Sequence, residues 1–509
     1  MTRVYSNRLS EYSHENGGRV LLLFLLFLVA LYELATIGLS AFAVVCCLPF
    51  LVLFIYCVFR WKMMAFWLLI TINYFLAMKD ISLPIPSSLP NEMLEMLLIA
   101  VAIIDSRQTA HFERAGNLML LALVIWGGLC FIEVFNDTCN LGINVGAWYV
   151  GFRLFAQQLI FILLVFSLYI STPQSLMTYL KVWAIFCLFS AFWTWKQEYI
   201  GFTDAERLWI ETRGRNTHIL NAGTLIRYFS TFDNAASYGC HAASAAAAFI
   251  IIGITNRIKR TRYFFLLISI AVIWGMFQSG TRTAIYCLAA GLIVYIFLSK
   301  SIKIVVPFSL VFAFFAFILI FTTIGNGNQQ IRRMRSAFNK DDASANVRDI
   351  NKEAIRKYIK DAPWGIGLGM GSENVPANNK YNKLSSIPPD SEYVYIWVHT
   401  GPIGVSIFTI CMIIIFFGGC QVVLFRLKNK SLIGIGAGLC SAFVAINLGG
   451  YANQVLYGFP NGVTFFGGMA IVYILPYLEP EWNKYEERLL TEQKEKKRLK
   501  LEKKLASRV

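Results

Sequence analysis

The sequence predicts an all-α polytopic membrane protein with about fourteen transmembrane helices and one long loop on the outer face. Three observations carry that prediction. Hydrophobic residues make up 57% of the 509-residue chain and charged residues only 15%, which excludes an ordinary soluble multidomain protein. The apolar residues gather in blocks such as 20–37, 118–134, 159–170, 304–324 and 403–425, most of them near the ~20 residues that cross ~30 Å of hydrocarbon. Lys and Arg recur in alternate connections, which marks one side as cytoplasmic.

Backbone amides in lipid must be satisfied within their own segment, so the blocks are expected as helices. The first block lacks a small-residue cleavage site and runs into a second, as a retained signal anchor does. Arg3, Arg8 and Arg19 precede the first span, Arg60 and Lys62 follow the second, and Arg107 and Arg114 the fourth. Arg257, Lys259, Arg260 and Arg262 follow the eighth, Lys300 and Lys303 the tenth, and Arg426, Lys428 and Lys430 the twelfth. All fall on one side, with both chain ends. The expected organisation is a cytoplasmic N-terminus (1–19), N-terminal spans with arginine-bearing outer loops (20–324), a long outer loop (325–391), C-terminal spans (392–478) and a charged cytoplasmic tail (479–509).

The net charge of +16 is spread over inner loops, tail and outer loop, so nucleic acid is not an expected partner; membrane lipids are. The tail mixes Glu with Lys and Arg at helical spacing, as a solvated helix does. Eleven cysteines show no metal spacing, and most lie in apolar blocks as small hydrophobes. Cys139 and Cys240 fall near the outer face, and no disulfide or metal site is assigned.

Ionisable residues inside spans are costly and mark sites. Glu33, Glu95, Glu133, Arg153, His241 and Arg282 all fall toward the predicted outer ends, which fits an outward-open cavity better than a through-pathway. Arg153, Arg207, Arg213, Arg215, Arg227 and Arg282 lie in or beside short outer connections, against the usual charge bias. Guanidinium donors suit phosphate oxygens, so several around one cavity point to a phosphate or diphosphate group; singly, each has the alternative of snorkelling to headgroups or pairing with a carboxylate.

Ser279-Gly280-Thr281-Arg282-Thr283-Ala284, at the mouth of a span, resembles the Ser-x-x-Arg-x-x signature of the O-antigen ligase and O-antigen polymerase superfamily. Around it Gly151-Phe152-Arg153, Arg227-Tyr228-Phe229, Phe232-Asp233-Asn234, Arg348 with the stretch ending at Pro363, Gly365-Ile366-Gly367-Leu368-Gly369, Asp390-Ser391-Glu392-Tyr393 and Gly401-Pro402-Ile403-Gly404 occur in the family's order. The resemblance implies a membrane glycosyltransferase of GT-C-like fold, inverting and metal-independent, with no cofactor. It would act on a polyprenyl-diphosphate-linked glycan at the periplasmic face of the bacterial inner membrane. The acceptor would be another lipid-linked glycan in a polymerase, as for O-antigen or capsular polysaccharide, or lipid A core in a ligase, among polysaccharide-assembly partners. Arg153, Arg227, Arg282 and Arg348 would then bind the diphosphate, and Arg282 would also act in catalysis.

The chain departs from the ligase pattern in the long loop. Where ligases carry a histidine, counting back from Gly401 finds Asp390, and where they carry a glutamate it finds His399. Asp390 and the neighbouring Glu392 are therefore the candidate catalytic carboxylates, able to orient or deprotonate an acceptor hydroxyl. Their alternative is to cap the helix starting near Tyr393. The missing histidine tilts the reading to a polymerase, with a ligase second and a lipid-linked oligosaccharide flippase third.

Ile350, Ala354, Ile355, Tyr358 and Ile359 recur at helical spacing opposite Lys352, Arg356, Lys357 and Lys360, which predicts a helix on the membrane surface. Pro363 should end it, and the glycines that follow permit a turn close to a substrate or another backbone. Tyr381, Tyr393, Tyr395 and Trp397 offer aromatic faces for sugars or interfacial anchors.

Overall fold

The computed structural model describes residues 17–36, 39–81, 88–105, 111–220, 225–300, 302–327, 329–335, 343–387 and 391–506. The apolar blocks form α1 (Gly17–Thr36), α2 (Leu39–Arg60), α3 (Lys62–Phe75), α4 (Leu89–Ile104), α5 (Leu118–Ile132), α6 (Val145–Tyr169) and α7 (Pro173–Tyr199). After a β-hairpin of β1 (Ile219–Leu220) and β2 (Leu225–Ile226) come α8 (Ala235–Thr255), α9 (Lys259–Gln278), α10 (Arg282–Leu298) and α11 (Ile302–Phe321). The long loop holds α12 (Gln329–Arg335) and α13 (Ala343–Ile359), and α14 (Glu392–Gln421), α15 (Lys430–Ala452) and α16 (Asn461–Ala506) complete the chain.

Eight of these, counted among the described residues, are long and apolar enough to cross a membrane, so this is a multi-pass membrane protein of all-α class. Two compact units divide it, residues 1–66 with α1, α2 and the first turn of α3, and residues 67–509 with the remainder.

In the larger unit α8 is the central helix, packed against α9, α10 and α15. Its run Ala242, Ala243, Ala245, Ala246, Ala247 and Ala248 is fully enclosed. Small residues suit this place because they let backbones approach, and without a hydrophobic drive between helices in lipid, close packing holds the bundle. Gly291 of α10 lies against Ala247 and the Ser441 carbonyl, and Gly438 of α15 against the Ala248 carbonyl, so an added methyl at either would collide. The helix entries carry side-chain caps: Asn117 on α5, Thr172 with Ser175 on α7, Asn234 on α8, Ser391 on α14 and Asn429 on α15.

Two expectations change in detail. The C-terminal part of the α13 apolar face is covered by protein: Ile355 and Ile359 pack with Tyr381, Leu384, Val394 and Val398, so this end of the helix is docked on the start of α14, while Ile350 is 66% exposed. Sequence periodicity finds an apolar face but does not say what covers it. The tail helix is not wholly solvated either. It continues α16 without a break, and Glu486 is buried, accepting from the Asn429 Nδ2 at 2.9 Å and pairing with Arg257 at 3.4 Å. Cys139 and Cys240 are both free thiols.

Candidate functional site

The site grows from the hairpin. Ile219 pairs with Ile226 and Leu220 with Leu225, which returns the chain so that the Arg227 N–H donates to the His218 carbonyl at 2.9 Å. From there the guanidinium reaches the turn between α9 and α10. Its Nε donates to the Ser279 carbonyl (3.3 Å), Nη1 to the Thr217 carbonyl (2.9 Å) and Nη2 to the Thr281 Oγ1 (3.0 Å). Thr281 Oγ1 in turn donates to the Ala235 carbonyl at 2.8 Å, tying the turn to the first residue of α8. One arginine thus joins three segments, and Arg282 follows directly as the first residue of α10.

α12 closes the group from the long loop. Arg333 Nε donates to the Gly280 carbonyl at 2.7 Å, and Gln330 Nε2 to the Ile226 carbonyl at 2.7 Å. Burial, with Arg333 and Arg282 nearby, pushes the Arg227 guanidinium down to about 10. It stays protonated at neutral pH. Three guanidinium groups thus lie within electrostatic reach of one another, a grouping to which an anion is complementary.

Gly280 sits at the centre with φ +56°, a left-handed conformation that costs a side chain roughly 1 kcal/mol. A methyl there would lie 2.9 Å from the Gln330 Oε1, 3.2 Å from the Arg227 Cγ and 3.3 Å from the Arg333 Cδ. Gly280→Ala should therefore displace the two arginines and lower transfer roughly tenfold, more than its stability loss of ~1–2 kcal/mol accounts for. Rates and thermal midpoints measured on the same preparation check this.

His218 holds the hairpin in place. Its Nε2 accepts from the Ala235 N–H at 3.1 Å, so its Nδ1 carries the proton toward the Gly214 carbonyl, 3.1 Å away. Burial, together with Arg227 and Lys79, pushes the imidazole down to about 4, with the Gly214 carbonyl and Asp233 opposing. The unfolded chain, with an ordinary value near ~6.5, then binds more protons than the folded one between those limits. The neutral ring's contribution is complete above pH ~6.5 and is lost as pH falls toward ~4, a loss of up to roughly 3 kcal/mol. His218→Gln should flatten that part of the stability curve, as thermal unfolding between pH 7.5 and 4.5 would register.

Arg153 belongs to a second group. It starts a π-helical turn within α6, and its Nε faces Glu92 Oε1 at 3.4 Å on α4, with Glu95 fully buried one turn on. Phe155 stacks on Tyr395 of α14 at 4.9 Å, and His399 lies 3.9 Å from the Tyr395 ring and bonds the Gly367 carbonyl at 2.9 Å. Gly401, with φ +67°, breaks the helical path of α14 where the Pro363 carbonyl presses on it, so the glycine loop approaches a backbone as its composition predicts.

The loop between α15 and α16 links the groups. Asn453 Nδ2 donates to the Thr283 Oγ1 at 3.1 Å, beside Arg282, and the Val455 and Leu456 N–H groups donate to the two Glu392 oxygens at 2.9 and 3.2 Å. Both Glu392 oxygens are therefore engaged in holding this loop, while Ser391 caps α14. Arg227 and Arg282 are brought together, and Arg153 is set with Glu92. Asp390 lies outside the described residues, as do the side chains of Arg348 on α13 and of Glu33 on α1. Arg207, Arg213 and Arg215 are exposed on the short helical turns, Asp204–Trp209, Ile210–Gly214 and Arg215–His218, that precede the hairpin. His241 is locked in the core beneath α8's entrance, bonded to Asn461 at 2.7 Å and to the Trp183 Nε1 at 3.3 Å. Arg333, Gln330 and His218 were not legible as site residues.

No curated protein matches the chain. Residues 267–409, a span running from α9 through the α9–α10 turn and α12 to the first half of α14, match the family model described as O-antigen ligase, so this part of the chain is similar to that family.

Proposed function

We propose that this glycan-transferring membrane enzyme polymerises polyprenyl-diphosphate-linked oligosaccharide repeat units at the periplasmic face of the inner membrane. The observation that carries the reading is the meeting of Arg227, Arg282 and Arg333 around Gly280. As the anomeric carbon–oxygen bond breaks, negative charge gathers on the departing diphosphate, and fixed guanidiniums lower the energy of that state without reorganising. The acceptor hydroxyl attacks from the opposite face, which inverts the sugar centre. Arg153, with Arg348 from the long loop, would add to the diphosphate contacts.

The reading includes fourteen spans in a GT-C-like arrangement. α1 to α11 with α14, α15 and α16 are fourteen apolar helices among the described residues; eight of them are both long and apolar enough to cross by themselves, and α2 with α3 is bent by 110° at a break within a possible ninth. It also places both termini in the cytoplasm and the arginine cluster outside, because the basic connections after α2, α4, α8, α10 and α14 share the opposite side.

Asp390 stands where ligases carry histidine, which favours a polymerase; the match to the ligase model favours transfer to lipid A core as the second reading. Asp390→Asn should impair transfer while leaving donor binding within about twofold, since the carboxylate acts on the acceptor hydroxyl. Separate binding and turnover measurements check this, and a pure binding loss would move Asp390 to donor positioning. The decisive experiment gives purified protein a polyprenyl-diphosphate oligosaccharide with and without lipid A core. Extended lipid-linked chains identify a polymerase, core-attached glycan a ligase, and neither product with lipid scrambling in vesicles a flippase.

A further inference from the structure

A cavity lies at the other end of the bundle from the arginine cluster. α5 and α14 run antiparallel, with the Trp126 ring on Phe408 at 5.1 Å and Leu118 beside Gly418. Glu392, at the start of α14, faces the α15–α16 loop that bonds Thr283, so the far end of α14 lies at the opposite membrane surface. There a space of about 370 Å³ opens between the start of α5, the end of α14 and the middle of α16. Arg114, Asn117, Gln421, Arg426, Tyr473 and Tyr477 supply its polar lining, and Leu118, Leu121 and Val422 its apolar lining. That volume falls in the range of small-ligand sites.

Two details make it a built place rather than a surface dimple. The Arg114 Nη1 is buried without a hydrogen-bond partner among the described residues, a donor held away from water that an anion would satisfy. Arg426 ends a π-helical turn, Val422–Arg426, which re-aims the last residues of α14 so that the second guanidinium lines the same cavity. Leu121, 54% exposed, and Leu118 continue the lining outward along α5 toward the hydrocarbon. Positive charge at the interface with an apolar strip running into the bilayer is the shape of a phospholipid.

We propose that this cavity binds the phosphate of an anionic phospholipid headgroup in the cytoplasmic leaflet, with Arg114 and Arg426 on the phosphate oxygens and the acyl chain along Leu118 and Leu121. This does not depend on the transfer reaction proposed for the other face.

The test titrates purified full-length protein in detergent with short-chain phosphatidylglycerol and reads the thermal midpoint, which rises with a ligand that binds only the folded state. The wild type should show a saturable rise. Arg426→Gln, at an exposed position that the fold does not need, should weaken apparent affinity roughly tenfold, and Arg114→Gln with Arg426→Gln should remove the rise. Arg260→Gln, an exposed basic residue on the same face, should leave it intact. An undiminished rise in Arg426→Gln, or an equal loss in Arg260→Gln, would overturn the site. Inorganic phosphate or glycerol 3-phosphate producing the full rise would overturn the lipid as its source.

Discussion

Arg282→Ala should cut the proposed glycan transfer to a small residue while the protein stays folded in the membrane. Removing one fixed donor from a site that stabilises developing negative charge lowers turnover by roughly a hundredfold to a thousandfold. Arg282 is the first residue of α10, with an intermediate exposure, so its loss opens no large void. A radiolabelled or gel-resolved chain-extension assay, paired with a thermal midpoint within a few degrees of wild type, checks both halves. Full activity in this variant would remove the residue on which the mechanism turns.

Arg227→Ala is expected to be as damaging to transfer but for two reasons at once. Its guanidinium makes bonds to Ser279, Thr217 and Thr281, so truncation leaves two carbonyls and one hydroxyl oxygen short of a donor. The Ser279 and Thr281 contacts are part-buried while the Thr217 carbonyl is open to solvent, so at ~1–3 kcal/mol for a buried group left unpaired the hairpin should loosen from the α9–α10 turn, and the thermal midpoint should fall along with activity. Lysine should not rescue it, because one ammonium cannot reach three acceptors lying in the directions of a planar fork. The contrast is the informative part: Arg282→Ala loses rate alone, whereas Arg227→Ala loses rate and stability. Lysine restoring Arg227→Ala fully would mean that only its charge matters.

Much of the architecture could be read from hydropathy because long apolar runs admit one backbone solution in lipid. The turn carrying Ser279 to Arg282 was also legible, since an arginine opening an apolar helix has a large cost unless it is used. Arg333 was not. It stands in the basic string Gln329–Arg335, where sequence has no means of telling which arginine faces inward. In the structure Arg332 is exposed, Arg335 bonds the Asn326 side chain, and Arg333 reaches the Gly280 carbonyl. Glu392 shows the converse. As an acid heading a helix it has a local role available to it, yet its partners are backbone groups of Val455 and Leu456, more than sixty positions away, which no local pattern encodes. His218 was silent for the same reason, because its purpose is to accept the Ala235 N–H across the hairpin.

The central claim is that Arg227, Arg282 and Arg333 form a diphosphate site on the outer face. Binding of polyprenyl diphosphate and polyprenyl monophosphate to purified wild type and Arg282→Ala, compared in one titration format, tests it most directly. The second phosphate should tighten wild-type binding by at least roughly tenfold, the scale of one charge-assisted contact, and Arg282→Ala should erase most of that preference. Equal affinities for the two lipids in the wild type, or a preference that survives Arg282→Ala undiminished, would contradict the account.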